Sequence, residues 1–251
     1  MKDKLRLLAE QTGNPALGTF SLDELTEDNV LVYSRFDNNK IYLLDGEQPV
    51  EMARRDNHIY SLVSHEGVLY DGGFEGIYET FTGDKIVERF GYVQSLVSHN
   101  GELYDSDGGP SGRIYETLTG NKIAERDSLV RSLVSHDGKL YEGRGDGEIY
   151  ETLTGDKIAA ERNSNIWSLV SHKGMLYDCG GHSGRIYETL SGVEIAGRDD
   201  RVYSLRSHNG ELYDCGEDGI YETFSKEKIA DGCILSMASV PRSIVEEAGI
   251  L

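Results

Sequence analysis

Five of the seven histidines recur at nearly even spacing, an arrangement that a proton relay or a ring of metal ligands could use. Each ends the same short sequence, Ser-Leu-Val/Arg-Ser-His, and is followed by a variable residue and a glycine. They are His65, His99, His136, His172 and His208. Because every copy has one, we interpret them as turn groups or as hydrogen-bonding groups within each unit, with a structural role.

Five glutamates suggest a second chemistry, a pair of carboxylates for acid–base catalysis. Each follows the same tyrosine of the repeated sequence, and they are Glu79, Glu116, Glu151, Glu188 and Glu222. Their regular recurrence again favours a structural role, and we interpret them as hydrogen-bond acceptors between repeat units.

Two of the three cysteines, Cys179 and Cys215, occupy the same position in neighbouring units, and His182 lies close to the first. No Cys-x-x-Cys pair accompanies them, so we expect no metal site and no other cofactor. An odd number of cysteines in a chain of 251 residues is typical of reduced thiols, which favours a cytoplasmic protein over one built on disulfides.

These residues all belong to one repeat, whose first serine lies 34, 37, 36 and 36 residues apart in successive copies. The serines are Ser61, Ser95, Ser132, Ser168 and Ser204. Each unit holds four short apolar runs of strand length, separated by His-x-Gly, by loops and by Thr/Ser-Gly. Four antiparallel strands in about 36 residues are one blade of a β-propeller.

The ends of the chain complete the blade count. Three strands without a fourth begin near Val30, five complete units follow from Ile59, and a lone first strand covers Ile234 to Val240. We therefore predict an all-β fold, a six-bladed propeller of four-stranded blades over residues 29–240. Pairing of the C-terminal strand with the N-terminal strands would close the ring. We predict an N-terminal helical extension over residues 1–28 and a short C-terminal helical tail over residues 241–251.

The repeated sequence Ser-His-Asp-Gly-Lys-Leu-Tyr-Glu-Gly, with Asp-Gly-Glu-Ile-Tyr-Glu and Thr-Gly-Asp-Lys-Ile after it, resembles the blades of WD-repeat and quinoprotein-like propellers. Tyr150-Glu151 stands where the WD family has Trp-Asp, and the tryptophan motif of quinoproteins is missing, so the resemblance carries over no cofactor. What it implies is a rigid disc used mostly for binding other proteins.

Net charge sets the class of partner. A charge of −19 argues against a nucleic-acid partner and for a self-repelling surface, so we expect a monomer. We see no apolar run that reads as a signal peptide or a membrane span.

One position varies where the rest of the unit repeats, and it carries the candidate site. The residue before the first serine of each unit is Tyr60, Gln94, Arg131, Trp167, Tyr203 or Leu235. Arg206 also departs from the repeat, because four other units have valine there. Aromatic and arginine side chains are common binding anchors. We predict that Trp167, Tyr203, Tyr60, Arg131, Arg206 and Gln94 bind a protein segment or a small polar ligand at the mouth of the central channel.

These observations are compatible with two functions. We expect a non-catalytic scaffold that binds a protein or peptide and has no catalytic residues. The alternative is a propeller enzyme, a hydrolase or lyase acting with or without a metal on a small polar or sugar substrate. Its candidates, Asp107, Asp146, His182 and Asp218, are dispersed over different loops, and no nucleophile elbow or phosphate loop accompanies them.

Overall fold

The computed structural model describes residues 29–45, 48–159, 162, 164–181 and 184–251. The predicted N-terminal helical extension, residues 1–28, lies outside them, as does His182. The described residues form antiparallel β-sheets and one short helix, and the sheets have a propeller arrangement. None of the described helices is long and apolar enough to span a membrane.

The first sheet joins the two ends of the described chain. Its strands, in spatial order, are β21 (Ile234–Pro241), β1 (Asn29–Arg35), β2 (Lys40–Asp45) and β3 (Gln48–Arg54). The register between β1 and β21 runs antiparallel from Asn29 opposite Pro241 to Tyr33 opposite Met237. The predicted pairing of the last strand with the first is therefore present. Helix α1 (Arg242–Glu247) follows β21. It buries Ile244 and Val245 in an apolar cluster that also contains Val30 and Val240.

The next two repeat units share one continuous six-stranded sheet. Its strands are β4 (Ile59–His65), β5 (Val68–Glu79), β6 (Lys85–His99), β7 (Glu102–Asp107), β8 (Ile114–Glu116) and β9 (Lys122–Ala124). Strand β5 continues through the predicted loop between the second and third strands. Strand β6 runs without a break from the fourth strand of one unit into the first strand of the next.

The remaining units form three separate sheets. One has three strands, β10 (Val130–His136), β11 (Lys139–Arg144) and β12 (Ile149–Glu151). The next has four, β13 (Ile166–His172), β14 (Met175–Gly180), β15 (Arg185–Glu188) and β16 (Glu194–Gly197). The last also has four, β17 (Val202–His208), β18 (Glu211–Gly216), β19 (Gly219–Glu222) and β20 (Lys228–Asp231).

The predicted count of six separate four-stranded blades is wrong. The structure has four sheets of blade size and one sheet of six strands. One reason is the unbroken course of β5 and β6, which carries hydrogen bonding across the boundary between two units. The second is that the fourth strand expected beside β12 is reduced to one bridge, between Tyr150 and Lys157.

The His-x-Gly segments form the predicted tight turns between first and second strands. Both residues between the paired strands have positive φ, for example 49° at Glu66 and 81° at Gly67. Two successive left-handed residues are the signature of a type I′ turn, whose twist matches the strands it connects. The glycine therefore has the conformational role that the sequence indicates.

The first strands contact one another in sequence. Strand β4 contacts β6, β6 contacts β10, β10 contacts β13, β13 contacts β17, β17 contacts β21, and β21 contacts β4. The apolar core lies between neighbouring sheets. Val170 and Ile186 of one sheet, for instance, pack with Val202 and Leu205 of the next. Both faces of a sheet are thus covered, which explains the adjacent apolar residues in Ile-Tyr pairs.

Candidate functional site

The variable residues share an unusual backbone position. In β4 and β5, Ile59 lies opposite Gly73 and Ser61 lies opposite Gly72, so Tyr60 between them has no partner on the neighbouring strand. The same irregularity recurs at Gln94, Arg131, Trp167 and Tyr203. In β21, the pairing with β1 likewise passes over Leu235. A bulge frees a side chain from the regular alternation of the sheet and redirects it.

All the predicted binding residues line one cavity at the centre of the molecule. The cavity volume is about 80 Å³, and its wall is built from the first strands. It contains Tyr60, Gln94, Arg131, Trp167, Tyr203, Leu235 and Arg206, together with the repeated serines and the leucines that follow them. Among the described residues of the wall, arginine is the only charged type and no carboxylate occurs.

Three of these side chains lie in a row, in which the two rings are tilted by 53°. The guanidinium carbon of Arg131 lies 4.7 Å from the centre of the Trp167 ring, within the range of a cation–π interaction. The Trp167 and Tyr203 rings are 5.3 Å apart, centroid to centroid. The hydroxyl of Tyr203 donates to a carboxylate oxygen of Glu217 at 2.9 Å. We call Arg131, Trp167 and Tyr203 the arginine–aromatic stack.

A second set of rings continues from Tyr60, and we call it the aromatic arc. Phe36 stacks on His58 at 4.4 Å, His58 lies 6.2 Å from Tyr60, and Tyr60 meets Tyr92 edge to face at 5.3 Å. Tyr92 in turn lies 5.3 Å from Phe74. Phe36, Phe74 and Tyr92 are exposed although they are large and aromatic. Sequence reasoning missed Phe36, His58 and Phe74, because they lie outside the repeated positions.

Burial controls the protonation of the site. It raises the pKa of Tyr60 above its ordinary value, with the nearby Tyr92 adding to the effect. Burial also raises the pKa of Tyr203, and the hydrogen bond to Glu217 acts in the same direction. Desolvation lowers the pKa of Arg131, but a guanidinium remains charged at any physiological pH. The site thus presents neutral phenols and a cation.

The repeated histidines lie elsewhere and connect neighbouring units. The Nδ1 atom of each forms a hydrogen bond with a serine hydroxyl of the following unit, at 2.8–3.0 Å. The pairs are His65 with Ser98, His99 with Ser135, His136 with Ser171, His172 with Ser207 and His208 with Ser239. Their structural interpretation agrees with these contacts, but the bonds cross between units rather than staying within one.

The glutamates act more locally than predicted. Glu188 accepts hydrogen bonds from the backbone N–H groups of Leu190 and Ser191, at 3.0 and 2.9 Å. Glu222 does the same for Phe224 and Ser225. In these two units, the carboxylate closes the turn between third and fourth strands instead of bridging two units.

A buried arginine–carboxylate bridge between units was missed by the sequence analysis. Arg198, after β16, binds both carboxylate oxygens of Asp214 in β18, at 2.8 and 2.6 Å. Equivalent pairs are Arg55 with Asp71, Arg89 with Asp105, Arg126 with Glu142 and Arg162 with Asp178. The signal was present in the sequence, because each carboxylate follows its arginine by 16 residues.

The carboxylates suggested for an enzyme form hydrogen bonds to residues of their own unit. Asp107 accepts from the backbone N–H groups of Gly109 and Arg113, at 3.3 and 3.1 Å. Asp146 accepts from the N–H of Glu148, and Asp218 binds Tyr221 and Lys228. None of these three lines the central cavity.

The cysteines are free thiols, and two of them lie in the core. Cys179 and Cys215 are buried in β14 and β18, where burial raises the pKa of both thiols well above the ordinary value. Their sulfur atoms donate weakly to the backbone carbonyls of Val202 and Ile234, in the first strand of the next unit, at 3.7 Å. Their equivalent positions in neighbouring units are therefore explained by packing in the core.

Comparison with solved structures supports the fold. A chain from a nidogen/laminin complex matches with a TM-score of 0.66 at 13% identity, over 85% of this chain and 99% of that chain. A chain from a mitotic checkpoint complex matches with a TM-score of 0.58 at 17% identity, over 86% of this chain and 79% of that chain. The likeness is one of fold. No family model and no curated protein matches the sequence.

Proposed function

We propose that this protein is a non-catalytic scaffold that binds a protein or peptide segment at the mouth of its central channel. The observation that carries the proposal is the set of bulged positions. Six positions vary in residue type while their neighbours repeat, and bulges bring all six side chains to one cavity. Structural needs explain the repeated neighbours, but they do not explain a ring of Tyr, Gln, Arg and Trp.

The surface around the channel supports a macromolecular partner. The aromatic arc leaves Phe36, Phe74 and Tyr92 exposed beside the cavity residue Tyr60. Aromatic side chains supply large contact area at small cost in conformational entropy, and they are enriched at protein interfaces. The two structural neighbours named above come from protein complexes, which is compatible with this role.

Further parts of the proposal concern the whole molecule. We infer that the sheets close into a ring of one domain over residues 29–240, because the first strands contact one another in a cyclic order. We also infer a cytoplasmic monomer, given the free cysteines and the net charge of −19. Sedimentation at two protein concentrations tests the monomer, and a mass that rises with concentration would contradict it.

The binding role is tested by substituting both rings of the arginine–aromatic stack. A Trp167→Ala/Tyr203→Ala variant is expected to lose the proteins that the wild type captures from a lysate, because it removes two of the three aromatic side chains of the cavity. Captured proteins are compared by mass spectrometry, and circular dichroism verifies the fold.

The matched control removes two exposed leucines from turns at the opposite end of the strands. Leu153 and Leu190 are 65% and 63% exposed, so a Leu153→Ala/Leu190→Ala variant loses apolar surface without touching the channel. Capture retained by this control and lost by the stack variant supports the proposal. Capture that survives in the stack variant contradicts it.

A further inference from the structure

The cavity has a charge opposite to that of the protein around it. The chain carries a net charge of −19, yet the only charged residues in the described wall of the cavity are Arg131 and Arg206. We propose that the channel binds a small oxyanion group, phosphate or carboxylate, beside Arg131. This inference names the ligand chemistry of the proposed binding site and therefore rests on the channel being that site.

Arg131 has cationic hydrogen-bonding capacity that its surroundings leave unused. Its Nε atom is buried and has no hydrogen-bond partner among the described residues, and no described carboxylate forms a salt bridge with it. The guanidinium packs on the face of Trp167 at 4.7 Å. Burial of a hydrogen-bond donor without an acceptor is unfavourable, and a guanidinium fork matches two oxygens of an oxyanion. A bound oxyanion would supply the missing acceptor.

Arg206 extends the positive potential along the channel. It lies three residues beyond Tyr203 in β17, which is about 10 Å at the rise of a strand, so it lines a deeper level of the wall. Its charge helps lower the pKa of His208, two residues further along β17. We assign direct contact with the oxyanion to Arg131 and an electrostatic contribution to Arg206.

Serine hydroxyls beside Arg131 add neutral donors. Ser95 and Ser132 accept hydrogen bonds from the backbone N–H groups of Leu133 and Leu169, at 2.9 Å each. A hydroxyl that accepts in this way still carries one hydrogen to donate. The cavity volume of about 80 Å³ is well below the several hundred Å³ of a typical pocket for a drug-sized ligand, so it suits an ion or the tip of a side chain.

The test uses the purified full chain and inorganic phosphate, with isothermal titration calorimetry at constant ionic strength. We expect the wild type to bind phosphate and Arg131→Gln to bind at least about tenfold more weakly, since one set of charge-assisted hydrogen bonds is lost. Arg185→Gln is the matched control, because Arg185 is exposed and pairs with Glu194 outside the cavity. Equal phosphate affinity in the wild type and Arg131→Gln would overturn a phosphate site.

A stability measurement distinguishes a variant that has lost phosphate binding from one that has misfolded. Without phosphate, Arg131→Gln is expected to melt close to the wild type, since losing the contact with Trp167 is offset by removing a buried Nε donor that has no acceptor. Added phosphate should raise the melting temperature of the wild type and of Arg185→Gln but not that of Arg131→Gln. An equal rise in all three proteins would contradict the assignment.

A second pair of probes separates a free ion from a partner's acidic side chain. Acetyl-Gly-Glu-Gly-amide presents a carboxylate, and acetyl-Gly-Gln-Gly-amide is its neutral match. Preference for the glutamate peptide that disappears in Arg131→Gln supports a carboxylate source, and phosphate binding alone supports a free ion. If neither phosphate nor the glutamate peptide binds, the oxyanion proposal is contradicted. The protein-binding proposal is tested separately, by whether the Trp167→Ala/Tyr203→Ala variant loses its captured proteins.

Discussion

Two regions of each unit follow opposite rules, the contacts between units and the bulge at the channel. Between units, a histidine–serine bond and an arginine–carboxylate bridge recur with nearly the same geometry. At the bulge, the residue changes from Tyr60 to Gln94 to Arg131 around the channel. The comparison indicates that residues repeated in every unit hold one unit to the next. Residues that vary between units have side chains that this packing does not constrain.

The largest effect should come from breaking one inter-unit bridge. Arg198→Met leaves the carboxyl group of Asp214 almost fully buried with Thr223 as a remaining donor, so we expect a loss of about 3–5 kcal/mol in the free energy of unfolding. Urea unfolding measures it.

Two further variants sharpen that result. Arg198→Met/Asp214→Leu removes both charges and should recover much of the loss, because a buried pair replaced by apolar groups is often close to neutral. Arg185→Gln breaks an exposed pair with Glu194 and should change the free energy of unfolding little, because surface ion pairs are screened by solvent. Equal losses from Arg198→Met and Arg185→Gln would contradict a special role for the buried bridge.

A smaller effect should appear as pH dependence. Burial, assisted by the charge of Arg206, lowers the pKa of His208 to about 4, and burial also lowers the pKa of His99 and His172. The unfolded state therefore takes up protons first as pH falls. Stability from His208 is complete above about pH 6.5 and is lost progressively toward pH 4, by roughly 2 kcal/mol once solvent screening is allowed for.

Urea unfolding at pH 7.5, 5.5 and 4.5 measures this slope. A His208→Asn variant should have a shallower slope than the wild type, with the remainder due to the other histidines. An unchanged slope in that variant would show that His208 is not the group that titrates.

The smallest effect should come from the bulge. Gln94→Ala is expected to change the free energy of unfolding by less than about 0.5 kcal/mol, because a bulged side chain at the channel lies outside the packed core. Leu96→Ala, two residues along the same strand, should cost about 2–5 kcal/mol because Leu96 packs in the core. Similar losses at both positions would break the comparison between repeated and variable residues.

Prediction from sequence succeeded where the determining interactions are local. The type I′ turns at Glu66-Gly67 and its equivalents depend on two adjacent residues, so the sequence indicates them directly. The variable positions Trp167 and Tyr203 also stand out in the sequence because the rest of the unit repeats, and their binding role stays a prediction. The aromatic arc does not stand out, since Phe36 and His58 become neighbours of Tyr60 only through the packing of separate sheets.

The sequence by itself determined the repeat, the strands, the tight turns and the choice of positions that vary. Tertiary structure alone decided that each variable residue is bulged toward one cavity, that two units share a six-stranded sheet, and that histidines and arginines reach across to the next unit. The physical reason is the distance along the sequence over which the interactions act. A turn is stabilised by adjacent residues, whereas a bulge, a continuous ladder and a bridge over 16 residues depend on the register between strands that only the folded molecule establishes.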